Sequence, residues 1–148
     1  MQQSSELACW HANLLRIDRR KCVLFTHDTT LYFFFVPGLK KPDFENFREV
    51  FRQNLFKSLI AENLPQKNIE LFLDDIQEID ISKTNNRSVL GSMNDLTFQL
   101  KYQIADAGGI EIADISKLVS DLNRIPMSAI EEIYSIYELK KLFEKLNR

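Results

Sequence analysis

WHANLLRIDRRKCVLFTHDTTLYFFFVPG, residues 10–38, decides the fold. Three β-rich segments, WHANLLRI (10–17), CVLFTHD (22–28) and LYFFFVPG (31–38), are separated only by the polar connectors DRRK and DTT. β-Branched and aromatic residues suit a pleated, half-buried surface, whereas Asp and the Pro37-Gly38 pair belong in turns. Connectors this short join antiparallel neighbours, so the segments predict a meander. The second and third are nearly continuous apolar runs, which places them at the sheet centre or beneath a helix.

Downstream of the meander the period changes. Asp43 is a candidate N-cap for a long helix. Phe44, Phe47, Phe51, Leu55 and Leu59 recur at helical spacing, Val50 and Ile60 widen the stripe, and Asn63 and Pro65 end it. A shorter helix is expected over 66–74, and IQEIDISKT (76–84) reads as a fourth strand stopped by Asn85-Asn86. A helix over 87–106 ends at Gly108-Gly109, and GIEIA (109–113) is expected to be a short strand. Asp114 caps another helix with Ile115, Leu118, Val119 and Leu122 on one face. A final helix over 136–146 places Ile136, Leu139, Leu142, Phe143 and Leu146 inward. The fold class is therefore α+β: an antiparallel meander sheet of about four to five strands, covered by about five helices. The 148 residues fit a single domain, 1–148, with residues 1–8 expected to be loose.

Hydrophobic residues make up 45% of the chain and charged residues 27%, as in ordinary soluble domains. A net charge of −2 gives no global pull toward nucleic acid or acidic membranes, so an anion-binding role has to come from a local patch. MQQSSELACW carries no signal-peptide pattern, and LYFFFVPG is too short to span a bilayer. A cytoplasmic protein without membrane association is expected. Cys9 and Cys22 form no C-x-x-C pair. Reduced thiols are the plain reading, with a disulfide left open should neighbouring strands bring them together.

The 87–106 helix carries an unusual second face. Val89, Met93, Leu96, Leu100 and Ile104 form its core stripe, while Arg87, Gly91, Asn94, Asp95, Phe98 and Tyr102 collect opposite. A glycine inside a helix costs about 1 kcal/mol relative to Ala, which suggests that something approaches closely at Gly91. One reading is a sandwiched helix in which Asn94 and Asp95 make buried hydrogen bonds, and this is the reading the residues favour. The other is a cleft that directs Arg87, Asn94 and Asp95 at a ligand.

The first hairpin is the other dense stretch. Trp10, Ala12 and Leu14 point one way on the strand, and His11, Asn13 and Leu15 the other. Asn13 is a poor strand former, so its side chain is expected to have a hydrogen-bond task. Arg16, Arg19, Arg20 and Lys21 gather four positive charges around one turn. In an acidic chain these read first as a solvated turn; the sharper reading is a basic finger for phosphate or nucleic acid.

There is no glycine-rich phosphate loop and no G-x-S-x-G elbow. Cys9, His11, Cys22 and His27 match no standard zinc spacing, so no metal and no cofactor are expected. His11 or His27 paired with Asp95 is the candidate acid/base set, should the fold bring them together.

WHANLLRIDRRKCVLFTHDTTLYFFFVPGLKKPDF together with TNNRSVLGSMNDL resembles a bacterial domain family of unknown function. Its marks are the W-x-A-N-L strand, the R-K turn and a helix carrying GSMN, spread over roughly residues 10–105. The resemblance implies a small stand-alone bacterial protein with no assigned activity. It draws attention to Trp10, Asn13, Arg20, Lys21, Ser92, Met93 and Asn94 as matching positions.

The expectation is a small protein that binds a partner or an anionic ligand, such as a nucleotide or nucleic acid. Its candidate surface comprises Trp10, His11, Asn13, Arg20, Lys21, Arg87, Ser92, Asn94 and Asp95. The alternatives are a small enzyme using Asp95 or His11 as acid/base, and an interaction module without a small-molecule site. A homodimer through an exposed sheet edge is a further expectation.

Overall fold

A computed structural model describes residues 9–27, 30–75, 80–82, 87–124 and 139–141. Strands β1 (Cys9–Ile17), β2 (Arg20–His27) and β3 (Phe33–Val36) form the antiparallel meander. Helices α1 (Lys41–Glu45), α2 (Phe47–Ala61) and α3 (Gln66–Asp75) follow. A short strand β4 (Asp80–Ser82) precedes α4 (Arg87–Asp106) and α5 (Ile115–Leu122). The strand order is β3-β2-β1-β4.

The β1–β2 register runs from Trp10 opposite His27 to Ile17 opposite Arg20, which leaves only Asp18 and Arg19 in the turn. Both have positive φ, 51° and 69°, the mirror-image turn whose twist matches that of paired strands. Neither is glycine, so the turn carries strain of about 1 kcal/mol or more per residue. A tertiary contact offsets it: the Ile110 N–H donates to Asp18 Oδ2 at 2.8 Å. Gly109, at φ 112°, makes room for this approach, since a Cβ there would stand 3.2 Å from the same Asp18 oxygen.

The two sheet faces are sorted by register. Trp10, Ala12, Val23, Phe25, His27, Phe34 and Val36 share one face, because each sits opposite another member of the set across the ladders. Helix α2 covers that face through Phe51, whose ring centroid lies 5.1 Å from Trp10, 5.1 Å from Phe25 and 5.5 Å from Phe34. On the other face Leu15, Ile17, Cys22, Leu24, Phe33 and Phe35 are also buried. Met93, Leu96, Leu100 and Ile104 of α4, with Val119 and Leu122 of α5, join the same core. A sheet covered on both faces explains why β2 and β3 are continuous apolar runs rather than alternating ones.

The outer edge of β3 is closed by one side chain. Asn123, fully buried just beyond α5, accepts from the Phe33 N–H at 3.0 Å and donates to the Phe33 carbonyl at 2.8 Å. An amide can mimic a neighbouring strand in this way because it carries both a donor and an acceptor. Asn123→Ala is expected to cost about 1–3 kcal/mol, since it leaves a buried N–H and C=O unpaired. Urea unfolding measures the loss, and a change below about 0.5 kcal/mol would show that the clamp contributes nothing beyond an ordinary surface substitution.

Several expectations are corrected. The antiparallel meander has three strands, not four or five; β4 lies beside β1 but runs parallel to it, over Cys9–His11 only. The chain crosses through three helices before returning, which frees it from the hairpin geometry that forces reversal. Residues 109–113 are turns, with the Ile112 and Ala113 N–H groups both bonded to the Gly109 carbonyl. The long helix is two helices broken at Asn46, whose side-chain amide donates to the Pro42 carbonyl at 3.1 Å. Asp43 caps from inside α1, accepting the Lys40 N–H at 2.8 Å, while Lys40 holds the N-cap position. A Cys9–Cys22 disulfide is excluded by register: Cys22 sits opposite Leu15, six residues along from Cys9, or about 20 Å at strand rise.

The expected 66–74 helix and the Asp114 cap are as read, Asp114 accepting the Lys117 N–H at 3.2 Å. Of the final helix only 139–141 is described, with Leu139 buried; its other stripe residues, residues 1–8 and the Asn85-Asn86 stop lie outside the described residues.

Candidate functional site

Past Pro37 and Gly38 the chain keeps the direction of β3 and continues along the start of β2, where the Leu39 N–H donates to the Lys21 carbonyl at 2.8 Å. Gly38 has φ 69°, and a Cβ there would sit 3.8 Å from Arg20 Nη1. This continuation carries Lys40 and Lys41, at the head of α1, to the β1–β2 turn. Between them lies a groove of about 560 Å³ lined by Arg16, Arg19, Arg20, Lys21, Gly38, Leu39, Lys40, Lys41 and Phe44. Six of the chain's nineteen basic residues meet there, and the lining contains no acidic side chain.

Two of the nearby carboxylates have other partners, and a third pairs with a groove residue. Asp18 is turned to the Ile110 N–H, and Asp43 to the Lys40 N–H. Glu111 pairs with Arg20 at the groove's end, in an exposed ion pair worth little by itself. Lys21 Nζ lies 5.9 Å from the centroid of the Phe44 ring, which stacks on Phe47 with an interplanar angle of 6°. Arg16 stands directly opposite Lys21 across the β1–β2 ladder. Like charges in that position destabilise a sheet, so the sequence holds this pair against its folding interest.

The residues expected to form one surface are dispersed. Trp10 is fully buried among His27, Phe34 and Phe51, and it packs the core. His11 and Asn13 lie on the opposite sheet face from Trp10, His11 at 9% exposure and Asn13 half-buried. Arg20 and Lys21 meet in the groove. Ser92 is half-buried, Asn94 and Asp95 are exposed, and the Arg87 side chain lies outside the described residues. Interior bracing by Asn94 and Asp95 is thereby overturned. Among the described residues a Cβ at Gly91 would meet nothing within 4 Å, so no close approach explains the glycine, and Phe98 is 73% exposed.

His27 is a brace within its loop. The Thr30 N–H points to Nδ1 at 3.4 Å, and Thr30 Oγ1 lies 2.9 Å from the same nitrogen.

Lys40, Lys41 and Phe44 were missed by sequence reasoning. The available signal was the meander itself followed by GLKKPDF: the third strand runs back toward the β1–β2 turn, so two lysines just past its end arrive beside the charges of that turn.

A second concavity, of about 150 Å³, lies between α2, β3 and α5. The Tyr32 and Ser58 hydroxyls are hydrogen-bonded within it. Burial drives the Tyr32 phenol well above its ordinary value, the Ser58 hydrogen bond opposing and the Glu62 charge adding to the rise. Glu62, 5% exposed, receives Ser120 Oγ at 3.0 Å and Arg124 Nη1 at 3.1 Å.

A family model described as a domain of unknown function (DUF6933) matches residues 1–138. No curated protein matches the chain. Among the described residues no helix is long and apolar enough to cross a membrane.

Proposed function

The chain belongs to the DUF6933 family of domains of unknown function, and from that premise, which brings no activity with it, we propose that the groove between the first hairpin and α1 binds the phosphate backbone of a nucleic acid. The observation that carries this reading is six cationic side chains converging on one groove in a chain of net charge −2. A phosphate ligand would relieve their mutual repulsion and release counterions on binding.

The lining also supports the class of ligand. It offers no Asn, Gln, Ser, Thr, Asp or Glu side chain, so guanidinium and ammonium groups supply its side-chain polar contacts. Such groups hold phosphates and carry little sequence information by that contact. Phe44, 36% exposed at the rim, offers part of a ring face to an unpaired base.

Fluorescence anisotropy with a labelled mixed-sequence oligonucleotide tests the reading. Neutralising about four to six phosphates of a single strand predicts a fall in affinity of roughly 50- to 300-fold between about 50 and 200 mM salt. Absence of binding at the lower salt, or binding insensitive to salt, would refute phosphate contact. Equal competition by inorganic phosphate per charge would replace the polymer with a small anion.

A further inference from the structure

The cavity between α2, β3 and α5 shares no lining residue with the basic groove. The geometry points to a binding site there for a small neutral polyhydroxyl compound, a polyol or monosaccharide, held between the hydroxyl of Ser58 and the carboxylate of Glu62.

Hydrogen-bond accounting leads to that chemistry. Tyr32 is fully buried, and among the described residues its hydroxyl has Ser58 Oγ as its hydrogen-bond partner. Were Tyr32 the acceptor, its own proton would be buried without an acceptor, so Tyr32 donates. Burial that keeps the phenol protonated agrees with this direction. The Ser58 proton is thereby left to point into the cavity.

Ser120 has already given its proton, donating to Glu62 Oε1 at 3.0 Å while accepting from Arg124 Nη1 at 2.6 Å. Among the described residues Glu62 Oε1 faces two donors, whereas Oε2 faces Arg124 Nη1 at 3.1 Å and retains acceptor capacity. Ser58 and Glu62 are four residues apart along α2 and its C-cap, so their side chains are neighbours on one face. Ser58 and Glu62 thus present a donor and an acceptor about a helical turn apart, with the polar side chains of Asn54, Lys57 and Ser116 also on the lining, a set that the hydroxyls of one small molecule can bridge.

Charge and size narrow the class. Arg124 already pairs with Glu62, so a cationic ligand gains little, and Lys57, also on the lining, is exposed, where solvent and salt screen its pull on an anion. Phe34, Phe35, Ile115 and Val119 give apolar walls for the C–H faces of the ligand. At about 150 Å³ the cavity is small beside the roughly 300–1,000 Å³ of pockets for drug-sized ligands, which limits the ligand to a small polyol or a monosaccharide.

Backbone amide NMR titrations with glucose, glycerol and acetate test the proposal on the full chain. Saturable shifts around Ser58, Glu62 and Ser120 are expected for glucose or glycerol, with a millimolar dissociation constant for so small a ligand. Ser58→Ala is expected to weaken binding about tenfold. Should that variant fail to fold, Ser116→Trp, at an exposed position in the lining, should block the cavity and abolish the shifts while leaving the fold intact. Absence of saturable shifts, equal binding in both variants, or a response to acetate alone would overturn the proposal.

Discussion

Trp10→Ala is expected to lower stability by about 3–5 kcal/mol, enough to unfold much of a domain whose total stability is ordinarily about 5–15 kcal/mol. The indole is fully buried and meets three rings, with centroids 4.8 Å away at His27, 5.1 Å at Phe51 and 5.7 Å at Phe34. Removing it opens a cavity at the junction of β1, β2, β3 and α2, where no single neighbour can collapse to fill the space. Trp10→Phe, which retains a ring, should cost less. Urea unfolding followed by circular dichroism measures both variants; in the parent chain the fluorescence of this single tryptophan should report the same transition. A loss below about 1 kcal/mol for Trp10→Ala would contradict the packing role and return Trp10 to the list of surface candidates.

Lys21→Glu combined with Lys40→Glu should reduce oligonucleotide affinity by on the order of 100-fold and flatten its salt dependence, because each change removes a phosphate contact and adds a repelling charge. Stability should move differently. Lys21 faces Arg16 across the ladder, so a glutamate there converts a like-charge pair into an opposite one, with a gain of about 0.2–1 kcal/mol. The contact of Lys21 with the Phe44 ring is lost, which offsets part of that gain. Unchanged or slightly higher stability with collapsed binding marks residues retained for function. If the double variant binds as the parent does, the groove is only a solvated basic surface.

The legible and illegible parts of the candidate sites differ in kind. Arg16, Arg19, Arg20 and Lys21 were visible as a charged turn because they are contiguous in sequence. Their completion by Lys40, Lys41 and Phe44 depends on β3 running antiparallel along β2 and on the backbone bond from Leu39 to Lys21. The Ser58–Tyr32 and Glu62–Ser120 contacts join segments 26 and 58 residues apart, and no local pattern announces them. The face of α4 was misread for the same reason. Gly91, Asn94 and Phe98 share a helical face by period, but whether that face meets protein or solvent depends on what the rest of the chain does.

The break at Asn46 shows where periodicity fails even within one stretch. Phe44, Phe47 and Phe51 satisfy a helical spacing across the break, yet Pro42 and the Asn46 side chain end α1 after five residues. Hydrophobic spacing reports which side of a segment is apolar and is insensitive to a single interrupted turn.

By itself the sequence determined the antiparallel run of the first three strands, though not that the meander stops there, together with the stop of α4 at Gly108-Gly109 and the start of α5 at Asp114, because connector length, positive-φ glycines and a capping carboxylate act within a few residues of one another. Tertiary structure alone decided the parallel placement of β4, the clamp of Asn123 on the edge of β3 and the gathering of six cations into one groove. Those features arise where distant segments meet, and the free energy that selects them comes from burial and pairing between elements, which no local window of residues contains.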